Sequence, residues 1–197
     1  MTNLRSFFAV LVLGISPSAR AQVQNFLVNP NADEGTKSWR AFGDATVETC
    51  SNGSPCFVLR NQGYFIQDVN VPEDAVGQYA LLVGRATGEH LPLDGSITGR
   101  PYLYGYMMNA GDPSGGRIYA YLQGQQMSGS GGTSGQWETL YGVFKIPLGT
   151  ARIRFFLQQA ACKGNPHNAA VARFDELALY ILPDAATAGA FVGDARF

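Results

Sequence analysis

Tyrosines occupy every second position in two short stretches of the chain, a spacing suited to binding a sugar. Tyr102, Tyr104 and Tyr106 form one stretch, and Tyr119 and Tyr121 form the other. Side chains of a β-strand alternate between its two faces, so each stretch would present its tyrosines on one face. A tyrosine ring can stack on a sugar ring while its hydroxyl forms hydrogen bonds. We therefore predict a tyrosine platform for a glycan ligand, against the alternative that these rings belong to the core.

Residue types that carry catalysis are present but do not form a recognisable arrangement. His90 and His167 lie in predicted loops, with no spacing typical of a metal site. No glycine-rich phosphate motif lies between a strand and a helix. Nothing in the spacing of the acidic residues indicates two carboxylates facing each other across a cleft. The sequence therefore predicts a protein that is not an enzyme and requires no cofactor.

The three cysteines leave the disulfide pairing open. Cys50 and Cys56 flank a turn-rich loop, and a bond between them would close a hairpin. The alternative pairs one of them with Cys162. We expect the local pair, in an oxidising compartment.

The first 21 residues resemble a signal peptide. Phe7 to Ile15 is an apolar run, and Ala19-Arg20-Ala21 is a small-x-small cleavage site. The run is shorter than the roughly 20 residues that a membrane span needs. We therefore predict a signal peptide at 1–21, a single domain at 22–183, a flexible tail at 184–197, and a secreted or periplasmic protein.

The charge and composition of the chain limit the classes of partner that it could bind. The net charge is −1, and no stretch is strongly basic, so nucleic acid is a poor candidate. Charged residues make up 15% of the chain, below the usual ~25%. No segment predicts a membrane span. The predicted partners are a glycan or a cell-surface protein.

Short β-rich runs separated by Gly, Pro, Asn and Asp predict an all-β fold, an antiparallel β-sandwich of jelly-roll type. Within 152–158, Ile153, Phe155 and Leu157 would face the core. In the last strand Phe174 would also enter the core if a bulge falls at Asp175-Glu176. The predicted strands are Phe26–Asn29, Trp39–Thr49, Cys56–Arg60, Tyr64–Val71, Tyr79–Thr87, Tyr102–Asn109, Arg117–Gln125, Gln136–Ile146, Arg152–Gln159 and Ala172–Leu182.

The two ends of the domain carry a family resemblance. The opening phrase has Asn29, Ala32, Asp33, Gly35 and Trp39 at the places of an Asn-x-x-(Phe or Ala)-Glu-x-Gly-x-x-x-Trp pattern. The closing phrase, Phe174-Asp175-Glu176-Leu177, is similar to Phe-Asp-Asp-Val. Together they resemble galactose-binding-like jelly-roll domains, which include bacterial carbohydrate-binding modules and the glycan-binding domain attached to F-box proteins. The resemblance implies this fold, with Trp39 and Trp137 in structural positions.

A structural calcium ion is a further implication of the resemblance, because related modules often hold one. Asp33, Glu34 and Asp175 come from the two ends and would supply carboxylate oxygens, with backbone carbonyls completing the six to eight that calcium takes. The alternative is that Asp33 and Glu34 are exposed on a turn while Asp175 accepts backbone hydrogen bonds.

Two functions follow from the sequence. The first is a secreted, non-catalytic carbohydrate-binding module that holds glycan by ring stacking and hydrogen bonds. The second is a structural or protein-interaction β-sandwich, at the cell surface or in the periplasm, with no sugar site.

Overall fold

The computed structural model describes residues 23–91, 99–109, 136–160 and 170–194. The signal peptide at 1–21, the strand at 117–125, Tyr119, Tyr121, Cys162 and His167 lie outside these residues. Within them, no helix is long and apolar enough to cross a membrane. The elements are β1 (Arg40–Thr49), β2 (Pro55–Asn70), β3 (Tyr79–Glu89), β4 (Pro101–Asn109), β5 (Glu138–Lys145), β6 (Thr150–Gln159), β7 (Val171–Leu182) and helix α1 (Ala185–Asp194).

The strands form one antiparallel sheet that folds over onto itself as a sandwich. Their order is β4-β6-β2-β7-β3-β5, and β1 pairs with β2. The long strand β2 joins the two layers: residues 57–59 pair with β7 and residues 64–70 with β6. The predicted antiparallel β-sandwich is confirmed.

A bend in β2 allows the strand to pair in both layers of the sandwich. Asn61 and Gln62 adopt left-handed backbone conformations, with φ of 46° and 68°. At Gly63, an added Cβ would collide with the carbonyl oxygen of Asp44 on β1. Only glycine permits this approach of the two strands. The sequence predicted two strands here, Cys56–Arg60 and Tyr64–Val71, but β2 is one continuous strand through the bend.

The core lies between the layers and follows the predicted alternation. Ile153, Phe155 and Leu157 of β6 are fully buried, which confirms the face assigned to them. Phe174 is also fully buried. Glu176 has a φ of 50°, and the β3–β7 register shifts beside it, so the predicted bulge is present.

The segment just before the opening phrase is held in place by side-chain hydrogen bonds. Asn25 Nδ2 donates to the carbonyl of Leu177 at 3.0 Å, and its Oδ1 accepts from the amide of Leu179 at 3.1 Å. Gln67 clamps both backbone groups of Val28. These contacts hold residues 25–28 beside β7 and β2, although the segment is not the strand predicted at Phe26–Asn29.

Residues 185–194 form helix α1 where a flexible tail was expected. The carboxylate of Asp184 accepts from the amide of Thr187 at 2.7 Å, an N-cap contact that lowers the pKa of Asp184. Ala188 is fully buried against the outer face of the β3, β5 and β7 layer. The Phe191 ring lies 4.7 Å from that of Tyr180. The Pro-Asp pair before an Ala-rich segment was the helix signal that the sequence analysis missed.

Candidate functional site

Five aromatic side chains line the outer face of the layer formed by β1, β2, β6 and β4. Tyr104 stacks on Phe156 with ring centroids 4.6 Å apart and planes 7° from parallel. Tyr106 meets the edge of the same ring at 5.0 Å. Tyr64 lies 6.3 Å from Phe156 and stacks on Phe42 at 4.6 Å. We call this set, Phe42, Tyr64, Tyr104, Tyr106 and Phe156, the aromatic face.

Strand register places these rings together outside the core. Leu103 and Met107 of β4 point inward and are buried, so the tyrosines between them point outward. Across the layer, Phe42 pairs with Tyr64, and Tyr104 pairs with Phe156. The Phe42 side chain is 38% exposed, and the other four are half-buried. The rings are therefore rigidly packed against one another and still reach the surface.

The structure brings together the three predicted tyrosines that it describes. Tyr102, Tyr104 and Tyr106 share the outer face of β4 and do not enter the core. The hydroxyl of Tyr104 donates to Gln158 Oε1 at 2.6 Å, which fixes the ring. Tyr119 and Tyr121 lie outside the described residues, so their part of the platform stays a prediction.

Phe42, Tyr64 and Phe156 were missed by the sequence analysis. Phe156 lies on the face of β6 opposite the predicted core residues Ile153, Phe155 and Leu157, and this alternation could have identified it. Phe42 and Tyr64 join the set only through pairing between β1, β2 and β6. A single sequence does not reveal such long-range pairing.

An arginine cluster borders the aromatic face. Arg154 binds the Asp68 carboxylate through two bonds, Nε to Oδ1 at 2.6 Å and Nη2 to Oδ2 at 2.9 Å. Arg40 Nη2 reaches Oδ2 at 2.8 Å, and Arg152 Nη1 lies 3.9 Å from it. Hydrogen bonds from Arg154, with the charges of all three guanidiniums, lower the pKa of Asp68. Its carboxylate therefore stays ionised at neutral pH.

A cavity lies at the bulge of β7. We call it the bulge pocket, a cavity of about 200 Å³ lined by Ser51, Asn52, Arg85, Trp137, Asp175 and Glu176. Arg85 lies over the Trp137 ring, 5.9 Å from its centroid, and 3.4 Å from the Glu176 carboxylate. Trp137 is half-buried and packs on the buried cluster that contains Cys50 and Cys56. These two cysteines form a disulfide bond, so the predicted local pair is confirmed.

Asp175 lies in the wall of this pocket and is 5% exposed. Burial raises the pKa of Asp175, and the negative charges of Glu176 and Asp33 raise it further. Its Oδ1 accepts from the Glu176 amide at 2.8 Å, and its Oδ2 accepts from Asn52 Nδ2 at 3.4 Å. Both hydrogen bonds lower the pKa of Asp175, but by less than burial raises it.

The three carboxylates predicted for calcium are only partly brought together. Asp33 lies close enough to Asp175 to affect its pKa, whereas Glu34 is exposed and forms an ion pair with Lys37. In the described residues, no three His, Cys, Asp or Glu side chains form a group that could hold a metal. This donor set does not by itself fit the six to eight oxygens of calcium. The calcium site stays a prediction based on the sequence.

Side chains of the opening phrase form hydrogen bonds with backbone groups of the same phrase. The side chain of Asn29 donates to the carbonyl of Gly35 at 2.9 Å and accepts from the amide of Glu34 at 3.0 Å. Trp39 Nε1 donates to the carbonyl of Asn29 at 3.0 Å. The Trp39 ring lies in the core, 4.8 Å from Phe57. This phrase therefore serves the scaffold, as the resemblance implied for Trp39.

Comparisons by sequence find no relatives: no protein-family model matches, and no curated protein matches. Solved structures do match. The second family 22 xylan-binding module of Paenibacillus barcinonensis Xyn10C is 15% identical, with a TM-score of 0.54, covering 77% of this chain and 97% of that one. The C-terminal family 22 carbohydrate-binding module of Clostridium thermocellum Xyn10B is 20% identical, with a TM-score of 0.52, covering 80% and 96%.

A third similar structure belongs to a much larger protein. The enzymatically active domain of tailspike protein 4 from bacteriophage CBA120 is 13% identical, with a TM-score of 0.54. The match covers 80% of this chain but only 21% of that one. At such identities these likenesses establish the fold alone. They confirm the β-sandwich of carbohydrate-binding modules that the resemblance of the two ends predicted.

Proposed function

We propose that this protein is a non-catalytic carbohydrate-binding module and that the aromatic face is its binding surface. The observation that carries the proposal is the packed set of rings centred on Phe156, outside the core. Rings that are fixed by their neighbours lose little conformational freedom when a ligand stacks on them. The polar groups beside them, Gln158 and Arg154, suit hydrogen bonding to sugar hydroxyls. The shared fold of the xylan-binding modules is consistent with this function.

The proposal is of binding without bond cleavage. Glycoside hydrolysis generally uses two carboxylates that flank the scissile bond, one of them able to give up a proton. Asp68, the carboxylate beside the rings, is held ionised by Arg154 and its neighbours. A carboxylate in this state is a poor proton donor, which supports a binding role.

Export is part of the proposal. Residues 1–21 have the pattern of a signal peptide, and the Cys50–Cys56 disulfide is of the kind that forms in an oxidising compartment. A glycan-binding surface would meet polysaccharide there. Disulfide mapping of the purified protein and cell fractionation test export independently of glycan binding.

A panel of soluble polysaccharides tests the function, with xylan as the first probe. We expect retardation of the protein in gels containing at least one polysaccharide, and loss of that retardation in Tyr104→Ala. Tyr180→Ala serves as the matched control, because it removes a half-buried tyrosine from the opposite layer. Absence of binding to every polysaccharide would favour the structural or protein-interaction alternative.

A further inference from the structure

The charges around Asp68 do not balance. In the described residues, the cluster has three guanidiniums, those of Arg40, Arg152 and Arg154, around one carboxylate. The local excess is two positive charges, whereas the whole chain has a net charge of −1. Hydrogen bonding to Asp68 raises the pKa of Arg154, so this excess persists at neutral pH.

Arg154 already links β6 to β2 through the Asp68 carboxylate. It satisfies the Asp68 carboxylate with two bonds and is 24% exposed. Arg40 and Arg152 add repulsion among like charges, and they are 54% and 38% exposed. Each guanidinium has five donors, of which the Asp68 contact uses a minority. The remaining donors of Arg40 and Arg152, on partly exposed side chains, are available to an anion from solution.

The cluster adjoins the aromatic face on the same side of the layer. Arg154 pairs directly with Tyr106 across β6 and β4. Arg154 and Phe156 are two positions apart on β6, which is about 7 Å along a strand. Arg40 pairs with Ile66, which in turn pairs with Phe156. A sugar stacked on the rings would therefore place a ring substituent next to the arginines.

We infer that the aromatic face selects acidic polysaccharides, whose anionic groups are bound by Arg40 and Arg152 while the sugar rings stack on Phe156 and Tyr104. The inference rests on the proposed function and names its ligand class. Arginine matches planar oxyanions because its parallel N–H groups form paired bonds to two oxygens. The positive excess also attracts a polyanion from solution, an effect that salt weakens.

The test compares one polymer with and without its charge. Polygalacturonate and its fully methyl-esterified form share sugar and linkage but differ in the carboxylates. We expect the acidic form to bind at least about tenfold more tightly at low salt, as a bond to a charged group implies. This preference should nearly vanish at about 1 M salt, where the Debye length is about 3 Å. Dextran sulfate against dextran tests whether sulfate can supply the anion.

Variants separate the site from general charge. Arg40→Gln and Arg152→Gln should each reduce the preference for the acidic polymer several-fold, while Lys at either position restores part of it. Lys145→Gln is the matched control, because it removes an exposed positive charge from β5 in the other layer. Melting temperatures check that each variant folds.

The outcomes are distinct. A preference for either anionic polymer that depends on the two arginines supports the inference. Equal binding of charged and neutral polymers, or an equal loss in Lys145→Gln, overturns it and leaves the proposed function intact. Failure to bind every polymer, charged or neutral, overturns both.

Discussion

The two outer faces of the sandwich have similar side chains and different surroundings. Both carry partly buried aromatic rings: Tyr104 and Phe156 on one, Tyr141 and Tyr180 on the other. On the second face, helix α1 covers the rings, with Phe191 against Tyr180. On the first, no element among the described residues covers them. An aromatic strand face therefore indicates a binding surface only when it is known whether another element packs over it.

The largest effect should come from removing the central ring of the aromatic face, Phe156. We expect Phe156→Ala to lower affinity for the glycan identified in the panel by about 30-fold, because a central aromatic anchor contributes about 2 kcal/mol or more. Titration calorimetry measures this change. Phe156→Leu retains apolar packing without a flat ring and should lose most of the same affinity. Unchanged affinity in both variants would remove the distinction between the two faces.

A second variant tests the charges beside those rings. Asp68→Asn should lower the free energy of unfolding at neutral pH by about 2 kcal/mol, because it removes the negative charge and one of the two acceptor oxygens of a half-buried ion pair. The lowered pKa of Asp68 means that its contribution is present above the unfolded value of about 3.9 and is lost as pH falls toward the folded value. Urea unfolding from pH 7 to pH 3 should show the two proteins converging.

The same variant, although less stable, should bind an acidic ligand more tightly. Asp68→Asn raises the excess positive charge, so the affinity for polygalacturonate should increase while that for neutral polymers stays the same. A fall in affinity for both polymers at a preserved melting temperature would mean that Asp68 itself contacts the sugar.

On the covered face the same kind of truncation should affect stability alone. We expect Phe191→Ala to lower the free energy of unfolding by about 1 kcal/mol, since it removes a partly buried ring that packs on Tyr180. Glycan affinity should not change. Phe42→Ala, at an exposed ring of the other face, is the control and should barely affect unfolding. Weaker glycan binding in Phe191→Ala would contradict the structural role of α1.

Local pattern was enough to predict the sandwich and one edge of the site. The two-residue alternation assigned Ile153 and Phe155, and the turn chemistry between Cys50 and Cys56 indicated their disulfide. The bend of β2 was interpreted as a break between two strands, because Asn61 and Gly63 are residues typical of turns. Local propensity does not distinguish a turn from a bent, continuous strand.

The rest of the site depends on contacts between distant segments. Tyr64 and Phe156 are brought together by the pairing of β2 with β6. Asp68 and Arg154 meet through the same pairing. Since each partner has an ordinary local sequence, nothing in either segment specifies the other. The tyrosines of β4 could be predicted because their regularity lies within one strand.

The smallest effect concerns Asp175, the counterpart of Asp68 in the bulge pocket. Burial raises its pKa, so this carboxylate favours folding most when it is protonated. Its contribution therefore declines as pH rises from the unfolded value of about 3.9 to the raised folded value, the reverse of Asp68. Asparagine resembles the neutral acid and keeps an oxygen for the Glu176 amide. We expect Asp175→Asn to equal the parent protein in stability at low pH and to match or exceed it slightly at pH 7.

Urea unfolding across this pH range, with and without calcium, gives the measurement. The opposite slopes of the Asp68 and Asp175 variants would identify one carboxylate held ionised by arginines and one whose charged form is disfavoured by burial. Loss of stability in Asp175→Asn at pH 7, together with stabilisation of only the parent protein by calcium, would reverse the second assignment. That result would show a charged partner for Asp175 and support the calcium site predicted from Asp33, Glu34 and Asp175.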